Sequence, residues 1–161
     1  MALEDYREYT EVDPNHHISV SKNHIDFNCR NDETAYVYKD KGVNHFGDFT
    51  HLLQIKANSF GLYSFGCVWA LANDLENCWG FESKALTALS LRFFSWTEGF
   101  LNIFLVENHN GTKPHDYHLV SVGATYYVKI QKVGTSLTAK FYSNAARTNL
   151  LFTLSITLQA N

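Results

Sequence analysis

Thr125-Tyr126-Tyr127-Val128-Lys129-Ile130-Gln131-Lys132-Val133-Gly134-Thr135-Ser136-Leu137-Thr138-Ala139-Lys140-Phe141-Tyr142 is the stretch from which the fold of this chain is read. Apolar and polar residues alternate through Thr125 to Lys132 and again through Ser136 to Tyr142, the two-residue period of a half-buried strand. Val133-Gly134 lies between the runs as a turn, so the stretch predicts a β-hairpin. Beyond it, Ala145 to Asn149 reads as a polar corner. Leu150 to Leu158 then sets Leu150, Phe152, Leu154, Ile156 and Leu158 on one face of a closing strand.

Working toward the N-terminus, the same period recurs. Phe100 to Glu107 and Leu86 to Trp96 read as strands joined by a turn near Thr97-Glu98-Gly99, and His115 to Val120 as a short strand after the Asn108-His109-Asn110-Gly111 turn. Ser64 to Asn73 is nearly continuous apolar sequence. It puts Phe65, Cys67, Trp69 and Leu71 on one side and the small residues Gly66, Val68, Ala70 and Ala72 on the other. Such a strand is covered on both faces, with something large over the small one. Asp74 to Phe81 breaks the alternation and reads as a loop or one helical turn, with Asp74 as its cap. Phe49 to Lys56 alternates, with Phe49, His51, Leu53 and Ile55 together. Ala35 to Lys39 is a short strand. Ile18 to Ser21 and His24 to Phe27 form a hairpin about Lys22-Asn23. About ten to twelve strands at this spacing, with no sustained helical period, predict an all-β, two-sheet antiparallel β-sandwich made of a single domain over 1–161. Pro14 and Pro114 both fall at loop or strand-edge positions.

The totals agree with that class. The chain has 161 residues, 45% hydrophobic and 18% charged, an ordinary globular balance. Its net charge of -3 and the lack of a basic tract speak against nucleic acid and acidic membrane surfaces as partners. The first ten residues carry no apolar core of a signal peptide, and no run of about eighteen apolar residues predicts membrane insertion. A cytoplasmic or virion-associated protein is therefore the default expectation. Cys29, Cys67 and Cys78 form no C-x-x-C pair, and their odd number argues against a fully paired framework. Reduced thiols are the default, with one disulfide as the alternative and Cys67 as a small core residue.

Gly123-Ala124-Thr125-Tyr126-Tyr127-Val128 through Leu137, the following Phe141-Tyr142-Ser143-Asn144, and Gly47-Asp48-Phe49-Thr50-His51 upstream together resemble the terminal hairpin and strand start of concanavalin A-like lectin/glucanase (laminin G-like) domains. The resemblance covers about a third of the chain directly, and it implies a jelly roll. It also implies a glycan-related role, since that superfamily hosts lectins, glycan-binding modules, glycosidases, lyases and adhesion domains. A structural calcium on the sandwich edge is implied as well, with Asp48 and Asp40 as oxygen candidates.

The glucanases among those relatives carry E-x-D-x-x-E or E-x-D-x-x-x-E on one strand, which sets carboxyl groups at the spacing glycoside cleavage needs. Asp74-Leu75-Glu76 is the nearest approach here. It lacks the third acid and lies between Asn73 and Asn77, as in a solvated loop. Glu107, just before a turn, reads as a solvent-facing strand end. The expectation leans away from an enzyme. The adjacent His16 and His17 would face opposite ways in a strand, as would His115 and His118, so shared zinc ligation is a minority reading. His51 fits a core or cleft histidine.

Carbohydrate is the partner class the resemblance favours. Sugars are held by flat aromatic faces beside directional polar groups. Trp69, Trp79 and Trp96 are the candidate platforms. Arg92 alternates with Phe94 and Trp96, so an Arg fork and two aromatics share one face; His51 completes the candidate set. Trp69 on its apolar strand also fits plain core, and Trp79 a plug at the core's end. Three readings follow: a non-catalytic carbohydrate-binding or adhesion module; a glycan-active hydrolase or lyase using Asp74, Glu76 or Glu107 with His51; and a structural or virion assembly protein.

Overall fold

The computed structural model describes residues 4–28, 34–42, 47–84 and 86–159, so Cys29 lies outside the described residues. Its strands are β1 (Thr10–Val12), β2 (Ile18–Val20), β3 (Ile25–Phe27), β4 (Tyr36–Tyr38), β5 (Phe49–Lys56), β6 (Phe65–Ala72), β7 (Ala88–Thr97), β8 (Phe100–Asn108), β9 (His115–Val120), β10 (Thr125–Val133), β11 (Ser136–Tyr142) and β12 (Leu150–Thr157). One short helix, α1 (Cys78–Ser83), stands between β6 and β7. Two four-stranded antiparallel sheets dominate, in the orders β12-β11-β10-β5 and β6-β7-β8-β9. The small pairs β1-β4 and β2-β3 are separate ladders.

The hairpin that opened the sequence reading forms with Val133 opposite Ser136 across the turn. Gly134 takes φ +54 there, a left-handed conformation that L side chains rarely adopt. The alternation of these strands sets the core. Val128 and Ile130 of β10, Leu137, Ala139 and Phe141 of β11, and Leu154 of β12 point inward to meet Leu91 of β7 and Leu101, Ile103 and Leu105 of β8. Both sheets thus bury one face against a shared apolar cluster, the economy that makes a sandwich.

Two irregularities overturn face assignments made from strict alternation. A register shift between Cys67 and Trp69 leaves Phe65 and Cys67 paired with the outward Phe94 and Arg92, while Trp69 and Leu71 pair with the inward Leu91 and Leu89. The four residues therefore do not share a side. A second shift, at Phe141/Tyr142, sets Leu150 opposite Tyr142 and leaves it 50% exposed, apart from its inward companions Leu154 and Ile156. A bulge adds one residue to one strand only, so every side chain beyond it changes face.

The sheet edges meet through side chains. Between β9 and β12, Asp116 Oδ2 accepts the Ser155 N–H at 2.9 Å. Just beyond β12, Glu107 Oε2 accepts the Gln159 N–H at 2.9 Å. These carboxylates occupy edge donors that would otherwise stand open to another strand. Glu107 is accordingly 3% exposed and not a solvent-facing strand end. Between β5 and β6, the Trp69 Nε1–H donates to His51 Nδ1 at 3.0 Å, and Phe49 stacks on His51 with ring centroids 4.7 Å apart.

Burial holds the His51 imidazole pKa below its ordinary 6.5. The folded chain binds this proton less readily than the unfolded chain. The stabilising contribution is thus present above the ordinary value and is lost as pH falls through the lower folded value. Thermal midpoints should fall between about pH 7.5 and about pH 5, and the fall should be smaller for His51→Gln than for the parent chain. Equal falls in both would contradict this role for His51.

Candidate functional site

The outward face of the β6–β9 sheet is built by register. Arg92 on β7, Phe104 on β8 and Tyr117 on β9 form one row; Phe94, Asn102 and Leu119 form the next; Ser90, Val106 and His115 form a third. Arg92 and Phe94 do share a face, as alternation predicts. Trp96 joins them, with its ring 5.0 Å from Phe94, 5.4 Å from Phe104 and 6.5 Å from Tyr117.

One half of this face is covered by α1. The helical turn, one of the two expectations for Asp74 to Phe81, forms over Cys78–Ser83, and its cap is Asn77 and not Asp74; the Asn77 side chain accepts the Gly80 N–H at 2.7 Å. Cys78, at its first position, is bonded to the outward Cys67 of β6, with Cα atoms 5.7 Å apart. The default of reduced thiols is therefore corrected for this pair, and Cys67 faces the helix, not the core. Gly80 lies so close to Glu76 that an added Cβ would stand 1.8 Å from its Cγ.

Beneath the helix sits Arg92, 2% exposed. Its Nε donates to Ser90 Oγ at 2.7 Å, its Nη1 to Glu82 and its Nη2 to Asn108. Asn108 Nδ2 in turn donates to the Phe81 carbonyl at 3.0 Å, and Glu82 also takes Lys113 Nζ at 3.1 Å. Burial lowers the Arg92 pKa, and the Glu82 carboxylate opposes that. Arg92 is consequently no open donor for a ligand. A buried cation with its three nitrogens bonded is an anchor for the helix that covers it.

The other half is open. Trp96, Thr97, Phe100, Asn102, Tyr117 and Leu119 line a groove of about 430 Å³. Trp96 is 47% exposed and Tyr117 53%. Asn102 differs from its neighbours: it is the polar side chain of the outward face that is 7% exposed and lies in the groove lining, and it is not among the described residues with a buried side-chain atom left without a partner. A recessed amide carries one acceptor and two donors beside aromatic walls. Asn102 was not among the residues singled out from sequence. The available signal was its place as the polar residue in Phe100 to Val106, on the outward side with Phe104.

The remaining candidates divide. Trp69 and His51 bond to each other at the β5–β6 edge against the core and do not join the groove. Trp79, a candidate platform with a core plug as the alternative, does not plug the core: it stands on α1 at 65% exposure, edge-on to Phe65 at 6.3 Å. The acids are committed elsewhere: Glu76 pairs with Lys84 and accepts the Asn77 N–H at 3.1 Å, while Glu107 lies on the inward side. Asp40 accepts the Gly42 N–H at 2.7 Å, and Asp48 the Gly134 N–H at 2.8 Å with Lys132 Nζ 3.9 Å away. Calcium takes six to eight oxygens, and among the described residues no group of three or more His, Cys, Asp or Glu could hold a metal.

Removing one member of the Arg92 cluster leaves buried polar partners unpaired, so Arg92→Ala should lose about 3–5 kcal/mol of stability in urea unfolding. Arg92→Lys should also lose stability, because an ammonium lacks the planar fork. A loss below about 1 kcal/mol for Arg92→Ala would place the variant among ordinary surface changes and contradict the anchoring role.

No protein-family model, curated protein or solved structure matches this chain.

Proposed function

We propose that this chain is a non-catalytic carbohydrate-binding or adhesion module of concanavalin A-like, jelly-roll form, and that the Trp96–Tyr117 groove is its ligand site. The observation that carries the reading is the groove itself, where half-exposed Trp96 and Tyr117 rings stand beside the Asn102 carboxamide. A pyranose matches this lining, since its C–H faces pack on indole and phenol rings while its hydroxyls both donate to and accept from a carboxamide. The volume of about 430 Å³ falls in the range of small-molecule sites.

The jelly-roll form rests on the resemblance carried by the terminal hairpin and by Gly47 to His51. β5 pairs with β10 across a long stretch of sequence, while β10, β11 and β12 follow one another as hairpins. In spatial order this sheet runs β5, β10, β11, β12, the same as its chain order. A binding role also suits the acids, which pair with cations or bond backbone N–H groups on opposite sides of the β6–β9 sheet.

The test is affinity electrophoresis and calorimetry against a panel of polysaccharides. At least one neutral polysaccharide should bind. Trp96→Ala and Tyr117→Ala should each weaken that binding about tenfold or more, the effect of losing an anchor worth more than about 1.4 kcal/mol. Their unfolding midpoints should stay near the parent's, because both side chains are half exposed. Silence across the panel, or binding unmoved by both substitutions, would overturn the assignment.

A further inference from the structure

The groove is one end of a longer aromatic row. Tyr117 stacks on Phe104 at 5.1 Å, Phe104 meets Trp96 at 5.4 Å, and Trp96 meets Phe94 at 5.0 Å. Phe94 then meets Phe65 at 5.7 Å, and Phe65 meets Trp79 at 6.3 Å. The row runs from β9 through β8 and β7 to β6 and ends on α1. Four strands at about 4.8 Å spacing give a width near 14 Å, more than a single six-membered ring needs. Its inner members, Phe94 and Phe65, are partly buried, whereas Trp96 and Trp79 rise from it at 47% and 65% exposure. Two raised indoles on a shared aromatic floor present two separate stacking surfaces.

Charge along the row is compensated. The Arg92 cation is buried against Glu82, Lys113 also pairs with Glu82, and Glu76 pairs with Lys84 beside the helix. Among the described residues, no charged side chain lines the groove itself. It offers no counter-ion to a carboxylate or sulfate, and desolvating one without a partner is costly. The second indole is positioned covalently: Trp79 follows Cys78, which the disulfide ties to β6, and Gly80 beyond it is packed on Glu76.

Resting on the carbohydrate reading above, we infer that the outward face is an extended site for a linear, neutral oligosaccharide, with a principal subsite at Trp96, Tyr117 and Asn102 and a second at Trp79, held in place by the Cys67–Cys78 bond. Trp79 is then a length-determining residue: short ligands reach the first subsite alone, and longer ones engage both. Linking two contacts in one ligand raises affinity because the second engagement is intramolecular.

The experiment is calorimetry with cello- and manno-oligosaccharides from disaccharide to hexasaccharide, with oligogalacturonides as the acidic control. For the parent chain, affinity for a neutral series should rise about tenfold or more with length, a gain of about 1.4 kcal/mol. Trp79→Ala should remove that rise and leave the shortest bound ligand unaffected, whereas Trp96→Ala should weaken every length. The double variant Cys67→Ser, Cys78→Ser should behave like Trp79→Ala. Should it fail to fold, Trp79→Ala still decides the matter, since its exposed side chain carries no core packing. Affinity that does not change with length, an unchanged rise in Trp79→Ala, or equal binding of the acidic oligomers would overturn the inference while leaving the Trp96 subsite standing. Failure of every oligomer to bind would overturn the carbohydrate reading itself, and the second subsite with it.

Discussion

Arg92 lies under α1 with Ser90, Glu82 and Asn108 on its three nitrogens, and this buried charge divides the outward face of the β6–β9 sheet. Without a covering element, a guanidinium at mid-sheet would stand in solvent. With α1 above it, the cation must be bonded, and the carboxylate and amide that bond it also hold the helix through Glu82 and the Phe81 carbonyl. The Cys67–Cys78 bond acts in the same direction. Closing a loop of this separation restricts the unfolded chain by about 3 kcal/mol on the chain-entropy account. Together they fix where the cover ends. What lies beyond that boundary, Trp96, Phe100, Tyr117 and Leu119, remains open.

On the opposite side of the same sheet, two acids bond backbone N–H groups. Glu107 faces inward and turns its carboxylate to the Gln159 N–H; Asp116, on the adjacent strand, does the same for Ser155. Each replaces a backbone acceptor that β12 lacks at its free edge. Glu76 and Glu82 serve the α1 side through Lys84 and Arg92.

Much of the fold was legible from alternation alone. The β10–β11 hairpin, β5, and the β2–β3 hairpin follow the two-residue period directly, because each strand has one face in the core or against a neighbour. β1 was missed: three residues, Thr10–Val12, are too few to show a period. The site was legible only in part. Arg92, Phe94 and Trp96 share a face as their spacing predicts, yet spacing cannot show that a helix from elsewhere in the chain covers Arg92. The bulge at Cys67/Trp69 is likewise silent in sequence, and it alone turns Cys67 outward to its disulfide partner and Trp69 inward to His51. Asn102 escaped notice for a related reason. A polar residue in an apolar strand is informative only once its surroundings are known.

The three indole N–H groups offer the most direct measurement of the central claim. Trp96 flanks the open groove, Trp79 stands on the helix, and Trp69 bonds His51 at the core edge. In a nitrogen–proton correlation spectrum, titration with a neutral oligosaccharide should move the Trp96 and Trp79 indole signals and the Asn102 carboxamide. The Trp69 indole should stay in place. Shifts confined to Trp69, or to the outward Lys129 and Lys140 of the opposite sheet, would contradict the account.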